Sequence, residues 1–371
     1  MSIFRIRLRR PQYRLRTLFL FVVVISVPLA IWVRREHQYR IRRAAIAVLH
    51  REHAGIDVGP YSAHPSEDRS RRLFLWDDND TLKRDDVVVK VRAYGSSDEE
   101  LAAIMSFPTL KSLDFTKSGI IDAQLAEISK LPCLEELTLD GTGIGDEGIR
   151  NLATARSMRV LYLNRTKITG AALAYVASMR ELEDLRLEGD DIGDESLRQL
   201  AKLPRLVFLD LERCAISDTG LTHVAEIPTL THLLLSHTRV TDNGLAALRR
   251  LRSLEYVRLE HCAISDAGLS HLAEISTLTG LQLRHTGVTD RGLANLRRLK
   301  SLDFLGLDDC AVSDGGVAHL CKLKSLRIVG LAGTGVTSAG VARLITGNPS
   351  IQGSWPKGAE PDADVDPEAP E

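Results

Sequence analysis

Residues 206–221 read LVFLDLERCAISDTGL, and this stretch decides the fold because it recurs along most of the chain. The position of Leu209 is aliphatic at every 24-residue step from Val89 to Val329, and the position two residues further on is also apolar. A fixed period of this length is typical of a solenoid, in which each unit buries its apolar face only against its neighbours. The spacing predicts about eleven such units.

Each unit begins with a short strand. Leu209 and Leu211 alternate with polar residues, so we expect their side chains to point inward and those of Asp210 and Glu212 to point outward. Ile216 marks the next buried position, which is β-branched in the equivalent places of the following repeats.

A short helix follows the strand. Ser217 and Asp218 are predicted to cap its N-terminus, because a short oxygen side chain can accept from the free amides of the first turn. Gly220 and Leu221 open a helix of roughly two turns, which is too short to be stable without packing.

The repeated pattern LxxLxLxx[T/C]x[I/V][S/T]DxGLxxLxxL resembles leucine-rich repeats, in particular the variety with Cys or Thr at the turn after the strand. The resemblance covers residues 89–352. It implies an α/β solenoid with a curved parallel sheet on the inside and short helices on the outside.

The chain begins with features of a membrane anchor. The whole molecule is almost neutral, with 48 basic and 49 acidic residues, yet residues 1–16 carry six arginines and no acid. Residues 17–33, TLFLFVVVISVPLAIWV, are uncharged and form a predicted transmembrane helix at the short end of the spanning range. Pro28 is tolerable in such a helix. A cleaved signal peptide is the alternative, but a small-x-small cleavage site is missing.

The remaining boundaries follow from composition. Residues 34–53 form a predicted basic juxtamembrane helix, 54–88 an N-terminal cap, and 353–371 a disordered acidic tail that is rich in Pro, Asp and Glu. The RLRTLFLF start (14–21), the short span, the Arg-rich helix and the repeat type together resemble membrane-anchored leucine-rich repeat proteins of planctomycete bacteria. That resemblance implies no known activity.

The side of the membrane is only weakly marked. Six arginines precede the span and six follow it up to residue 51, so the positive-inside rule has little asymmetry to use. Cys214, Cys262 and Cys310 recur every second repeat, and strand spacing puts their backbones about 10 Å apart, too far for disulfides. Unpaired cysteines would suit a reducing compartment, but small buried thiols in turns can also be inert packing. The signal-anchor topology has its basic end inside, so we expect a single-pass membrane protein with its repeats on the non-cytoplasmic side.

Catalysis has no support in the sequence. There is no nucleophile elbow, P-loop or HExxH motif, so the chain is predicted to be neither an enzyme nor a cofactor-binding protein, and no small-molecule substrate is evident. Residues 143–148 match GxGxxG, but the repeat explains them better than a dinucleotide site does. Basic residues beyond the N-terminus are balanced by acids, which disfavours nucleic-acid binding.

Histidines recur at one phase of three consecutive repeats. His237, His261 and His285 are expected to form a column with rings about 5 Å apart. Imidazoles at that distance provide an alternative hypothesis of a metal site, although ligands in a straight column do not converge well on one ion.

The outward positions of the strands predict the main binding surface. Aromatic residues interleaved with Arg and acids are typical of surfaces that bind proteins. We therefore expect a protein or peptide ligand, and a membrane contact through 17–33. The predicted binding residues are Tyr162, Arg186, Phe208, Asp210, Glu212, His232, His237, Tyr256, Arg258, Glu260, His261, Arg284, His285, Phe304 and Asp308.

Two further alternatives concern the role of such a surface. A structural or adhesion component of the cell envelope would bind carbohydrate or other surface material. The repeat type also resembles the substrate-recognition arcs of F-box ubiquitin-ligase adaptors, but no helical F-box is visible before residue 89, which argues against that role.

Overall fold

The computed structural model describes residues 97–359 together with 30, 33–34, 36–49, 51, 55–58 and 88–93. Within these residues no helix combines the length and the apolar character needed to cross a bilayer. The basic N-terminus at 1–16, nearly all of the predicted membrane helix at 17–33, and most of the predicted cap and tail lie outside the described residues.

A single sheet of thirteen strands runs through the described part of the chain, with the strands in sequence order. Strands β2 to β13 are parallel, and each pairs with the next at a register of 24 residues, or 22 for β2 with β3. The strands are β1 Gly55–Val58, β2 Val88–Arg92, β3 Ser112–Asp114, β4 Glu136–Thr138, β5 Val160–Tyr162, β6 Asp184–Arg186, β7 Phe208–Asp210, β8 His232–Leu234, β9 Tyr256–Arg258, β10 Gly280–Gln282, β11 Phe304–Gly306, β12 Ile328–Gly330 and β13 Gln352–Ser354.

Helices connect the parallel strands. We label the helical residues 36–49 as α1. The others are α2 Asp98–Met105, α3 Asp122–Ile128, α4 Asp146–Leu152, α5 Leu173–Val176, α6 Asp218–Val224, α7 Asp242–Leu245, α8 Asp266–Leu272, α9 Asp290–Leu293, α10 Asp314–Leu320 and α11 Ser338–Gly347. 3₁₀ helices occupy Gly170–Ala172, Asp194–Lys202, Ala246–Arg250 and Ala294–Arg298. From β7 to β12, α-helical repeats alternate with repeats that end in a 3₁₀ turn, which is the two-repeat period of the cysteines.

The predicted inward positions form the core. The side chains of Leu209, Leu233 and Leu281 are fully buried, as are Leu211 and Ile216. One hydrophobic cluster extends from α1 to Ala359 without a break. The repeat pattern of the sequence is therefore confirmed as a leucine-rich repeat solenoid.

The cysteines pack as single thiols. All five are free, and the three that recur every second repeat are buried. The Cys214 thiol donates to the carbonyl of Leu187 at 3.0 Å, and Cys262 and Cys310 make the same contact with Leu235 and Leu283. These side chains therefore satisfy backbone groups between neighbouring repeats.

Each repeat is tied to the next by an aspartate. Ser217 caps α6 as predicted, accepting from the amide of Thr219 at 3.3 Å. Asp218 instead reaches across to the following repeat, where both its oxygens accept from Thr241, from the amide and the hydroxyl, each at 2.7 Å. Six other repeats make the same pair of contacts, through Asp146, Asp194, Asp242, Asp266, Asp290 and Asp314.

A glycine makes room for six of these seven carboxylates, and Ala172 takes the equivalent place beside Asp146. A Cβ on Gly244 would lie 2.4 Å from Oδ1 of Asp218, which is too close for an L side chain. Gly268 and Gly292 stand in the same relation to Asp242 and Asp266. The repeated Asp-x-Gly of the sequence thus serves two neighbouring repeats at once.

Both ends of the repeats differ from the predicted boundaries. Helix α1 buries Ala45 and Leu49 in the repeat core, so it shares the capping role that the sequence assigns to 54–88. Strand β1 adds an antiparallel edge to β2. At the other end β13 continues the sheet past residue 352, where the tail was expected to begin, because Trp355 still packs against the core.

The aspartate link predicts a stability effect for Asp242→Ala. The substitution leaves the amide of Ser265 without its acceptor, and we expect a loss of about 1–3 kcal/mol in the free energy of unfolding. Urea denaturation followed by circular dichroism measures it. Asp191→Ala, at an exposed position, is the matched control and should have little effect. Equal midpoints for the two variants would contradict the link.

Candidate functional site

Aromatic side chains line one edge of the sheet face. Phe208 stacks on His232 with ring centroids 5.6 Å apart, and His232 stacks on Tyr256 at 5.7 Å. Strand β10 has Gly280 at this position, and the Tyr256 ring covers it, since a Cβ there would lie 2.5 Å from the ring. The ring centroids of Tyr256 and Phe304 are thereby 6.3 Å apart, although their strands are not neighbours. We call Phe208, His232, Tyr256 and Phe304 the aromatic row.

Arg186 is held by its neighbours rather than presented to solvent. It donates to both oxygens of Asp184, from Nε at 3.2 Å and from Nη2 at 3.0 Å. Its guanidinium lies 4.1 Å from the Tyr162 ring centroid and 4.7 Å from that of Phe208. The Tyr162 hydroxyl also donates to Asp184, at 3.1 Å. Burial raises the pKa of Tyr162, and the Asp184 charge adds to the shift, so the phenol remains a donor.

Three carboxylates occupy the middle of the face. We call Asp210, Glu212 and Glu260 the acidic strip, and its two glutamates share the guanidinium of Arg258. Nη1 of Arg258 is 3.6 Å from Oε1 of Glu212, and its Nε is 3.7 Å from Oε1 of Glu260. Both distances exceed a normal hydrogen bond. Asp210 is only 6% exposed, and burial raises its pKa to about 7, with Glu212 and Glu188 adding to the rise.

Several buried polar atoms of this region have no hydrogen-bond partner in the described structure. They are Oε1 of Glu212, Oγ of Ser236, Nε of Arg258 and Oε1 of Gln282. Buried polar groups are normally satisfied, so such a cluster requires an explanation. These residues come from four consecutive repeats, which places the unsatisfied atoms along the centre of the sheet face.

The three histidines form the predicted column. The rings of His237 and His261, and of His261 and His285, are stacked with centroids 4.3 Å apart. All three residues have positive φ, between 54° and 59°, so they lie in the turn after the strand, beside the sheet face. Burial lowers the pKa of His261, and the two flanking imidazoles add to the effect. No group of three or more potential ligands within the described residues is arranged to hold a metal ion.

Two further predicted residues, Arg284 and Asp308, contact side chains or backbone of the C-terminal repeats. Nε of Arg284 lies 3.1 Å from Oδ2 of Asp309. The same carboxylate oxygen is 3.1 Å from Nε2 of His285. Asp308 accepts from the amide of Ala332 at 3.0 Å and from the hydroxyl of Ser354 at 2.6 Å. Asp308 therefore joins adjacent repeats, and its Oδ1 is already occupied.

The structure thus divides the predicted site. It brings together the aromatic row and the acidic strip with Arg258 on the central strands, with the histidine column along their side. Asp184 and Ser236 were missing from the prediction, although both share a 24-residue column with predicted residues. Asp184 aligns with Phe208, and Ser236 aligns with Glu212.

A buried aspartate lies beneath this surface. Asp190 replaces the Thr, Cys or Ser of other repeats, and its Oδ1 accepts from the amide and hydroxyl of Thr166 at 2.8 and 3.1 Å. Its Oδ2 is buried without a hydrogen-bond partner. Burial raises the pKa of Asp190 to about 7.

Comparison with known proteins supports the repeat type. The family model described as Leucine Rich repeat matches residues 130–153, 226–248 and 250–273. A search of curated proteins gives no significant match. The chain thus contains leucine-rich repeats, which the family model matches at three places and the 24-residue sheet register continues along the chain.

Solved structures with a similar fold include two internalins of Listeria monocytogenes. For InlF the identity is 20% and the TM-score 0.55, covering 75% of this chain and 84% of that one. For InlC2 the values are 27% and 0.45, covering 57% and 83%. A leucine-rich repeat protein of Leptospira interrogans is 16% identical with a TM-score of 0.47, covering 71% and 75%. The similarity to InlF concerns the fold alone.

The raised pKa of Asp190 predicts a pH dependence of stability. An unfolded aspartate titrates near pH 4 and Asp190 in the folded chain near 7. Between these values the folded state binds more protons, so this group's contribution to stability falls as the pH rises and is constant above about 7. Asp190→Asn keeps an oxygen that accepts from Thr166 and should flatten the slope of thermal midpoint against pH between 4 and 7. Part of the slope should remain, because the pKa of Asp210 is raised as well.

Asp191→Asn, at the exposed neighbouring position, is the control and should leave the slope unchanged. Identical slopes for wild type and Asp190→Asn would contradict the assignment.

Proposed function

We propose that the protein is a membrane-anchored, non-enzymatic recognition module that binds a protein or an extended peptide on its sheet face. The observation that carries this proposal is the adjacency of the aromatic row and the acidic strip on one rigid surface. Aromatic and Arg residues are enriched at protein interfaces, and partly buried polar groups there supply specificity.

The rigidity of the face supports recognition rather than adaptation to many shapes. The strands are fixed by the ladder of backbone hydrogen bonds and by a fully buried core. Side chains of the aromatic row are also held by stacking. Preorganised side chains lose little conformational entropy on binding, which favours affinity for one partner of matching shape.

The membrane part of the proposal rests on the uncharged segment 17–33 and on the helix that follows it. Helix α1 packs Ala45 and Leu49 into the repeat core. An anchor at 17–33 would therefore hold the repeats next to the bilayer through a packed helix. We place the repeats on the non-cytoplasmic side of a bacterial membrane.

Recovery of partners tests the recognition face. The full-length chain in detergent is used as bait, and a Tyr256→Ala/Arg258→Ala/Glu260→Ala variant should lose the proteins that wild type enriches. Removing the aromatic and charged side chains deletes the central contacts without touching the buried core. Mass spectrometry of the bound fraction gives the readout.

The control for that experiment is Arg249→Ala/Glu274→Ala, an exposed ion pair of the helical side at 3.0 Å. It should retain the partners. Equal recovery by wild type and the triple variant would refute the assignment of the sheet face.

Cell fractionation and labelling test the anchor and its orientation. The chain should stay in the membrane pellet after alkaline carbonate treatment, and Val23→Arg/Ile25→Arg should release it, because charges in the span oppose insertion. Cys133 is exposed, so a membrane-impermeant maleimide added to intact spheroplasts should label it.

A Cys133→Ser/Cys321→Ser variant gives the background signal. Labelling that appears only after lysis would place the repeats on the cytoplasmic side, and carbonate-soluble wild type would end the anchor proposal.

A further inference from the structure

The acidic strip lacks a full complement of positive charge. Of its three carboxylates, those of Glu212 and Glu260 share one guanidinium, that of Arg258, and the cation that faces Asp210 is Arg186, which already donates to Asp184. The nearest approaches of the Arg258 guanidinium are 3.6 and 3.7 Å, so neither glutamate receives a well-formed hydrogen bond from it. The group carries an excess of negative charge at the centre of the sheet face.

Other nearby cations are already paired elsewhere. Arg186 donates to both oxygens of Asp184 and lies between two rings. Nη2 of Arg165 lies 2.6 Å, and Nε of Arg213 3.4 Å, from Oε1 of Glu188. The excess charge is therefore not neutralised by a simple rearrangement of neighbouring side chains.

Asp210 shows the electrostatic consequence. The groups that face it are Arg186 and Glu188 from the β6 repeat and Glu212 from its own repeat, while β8 contributes the uncharged Leu234. Burial and the two glutamates raise the pKa of Asp210 to about 7, and the Glu212 amide, which donates to Oδ1 of Asp210 at 2.9 Å, offsets only part of this together with Arg186. A cation brought next to Asp210 would stabilise its ionised form.

Ser236 is an independent sign of a missing ligand group. It is 4% exposed, and its Oγ has no hydrogen-bond partner in the described structure. The residue lies between Glu212 and Glu260 in the same column, one strand from each. A hydroxyl in this position can accept from an ammonium or guanidinium group that also contacts the flanking carboxylates.

The aromatic row supplies the apolar contact beside the charges. Phe208 and Tyr256 begin the strands whose third residues are Asp210 and Arg258. Alternate residues of a strand are roughly 7 Å apart, which is also the spacing of alternate side chains in an extended peptide. One peptide can therefore place a charged and an apolar side chain on the two features.

We propose that the acidic strip and Ser236 form a subsite for a Lys or Arg side chain of an extended peptide segment, whose neighbouring aromatic or aliphatic residue packs on the aromatic row. The proposal rests on the proposed recognition function and names the chemical class of its partner. Charge complementarity favours this occupant over an acidic one.

Synthetic peptides test the subsite directly. The probes are three fluorescein-labelled Gly/Ser dodecapeptides that carry Lys-Ser-Phe, Glu-Ser-Phe or Lys-Ser-Ser at their centre. Fluorescence anisotropy with the full-length chain in detergent should give at least about tenfold tighter binding for Lys-Ser-Phe than for either other peptide, and the difference should shrink at high salt.

Conservative variants separate the subsite from general charge effects. Glu212→Gln and Asp210→Asn should each weaken Lys-Ser-Phe binding by about tenfold. Glu147→Gln removes the same charge from an exposed ion pair on α4 and should change nothing. Thermal denaturation of each variant confirms that it remains folded.

The titration of Asp210 adds a second readout. As the pH falls from 8 to 6, Asp210 gains a proton and the affinity for Lys-Ser-Phe should decrease. Asp210→Asn should remove most of this dependence, whereas Glu147→Gln should keep it. A purely structural role of Asp210 would leave the pH profile of peptide binding unchanged.

Three outcomes would overturn the subsite. One is equal binding of the three peptides, and another is binding that ignores Glu212→Gln. The third is that labelled chain binds unlabelled chain and that Glu212→Gln abolishes this self-association, which would make a second copy the occupant.

The partner-recovery experiment separates this proposal from the recognition function. If partners are lost with the Tyr256/Arg258/Glu260 triple variant but still bind Asp210→Asn and Glu212→Gln, the recognition function is supported and only this subsite is refuted.

Discussion

The hydrogen bonds that an aspartate of one repeat accepts from the next repeat are the constraint on which the rest of the structure depends. Asp218 accepts from both the amide and the hydroxyl of Thr241, and the glycine at 244 leaves space for its carboxylate. A shift of one residue in either repeat would lose two hydrogen bonds and create a steric clash. The period therefore stays at 24 residues, and equivalent positions from the β3 strand onward stack into straight columns.

Columns have chemical consequences whether or not they were selected for a function. The histidine column occupies a position of positive φ that Lys117, Arg165, Arg213 and Asp309 take in other repeats. Its ring stacking follows from strand spacing, and flat rings in a stack do not direct three nitrogens to one ion. The aromatic row is different because Gly280 interrupts it and Tyr256 fills the space, so the row is shaped by packing as well as by repetition.

The centre of the sheet face combines features that cost stability. Asp190 and Asp210 are buried carboxylates whose pKa values lie near 7, so at neutral pH each is held in an environment that disfavours its charge. The other repeats of this chain from β3 onward have Thr, Cys or Ser at the Asp190 position. Concentration of such groups beneath and within one surface is typical of binding sites, where unfavourable burial is offset when a partner is bound.

The sequence by itself determined the repeat length, the inward leucines, the Ser217 cap and the columns of Phe208 and His261, because these depend only on period and polarity. Only the tertiary structure decided which side chains of a column remain available. Arg186 and Arg258 occupy equivalent predicted positions, yet Arg186 is held by Asp184 while Arg258 lies loosely between two glutamates. Helix α1 and strand β13 likewise joined the repeats through contacts that no local pattern marks. The physical reason is that a period fixes where backbones lie, whereas pairing depends on side-chain conformations across neighbouring strands.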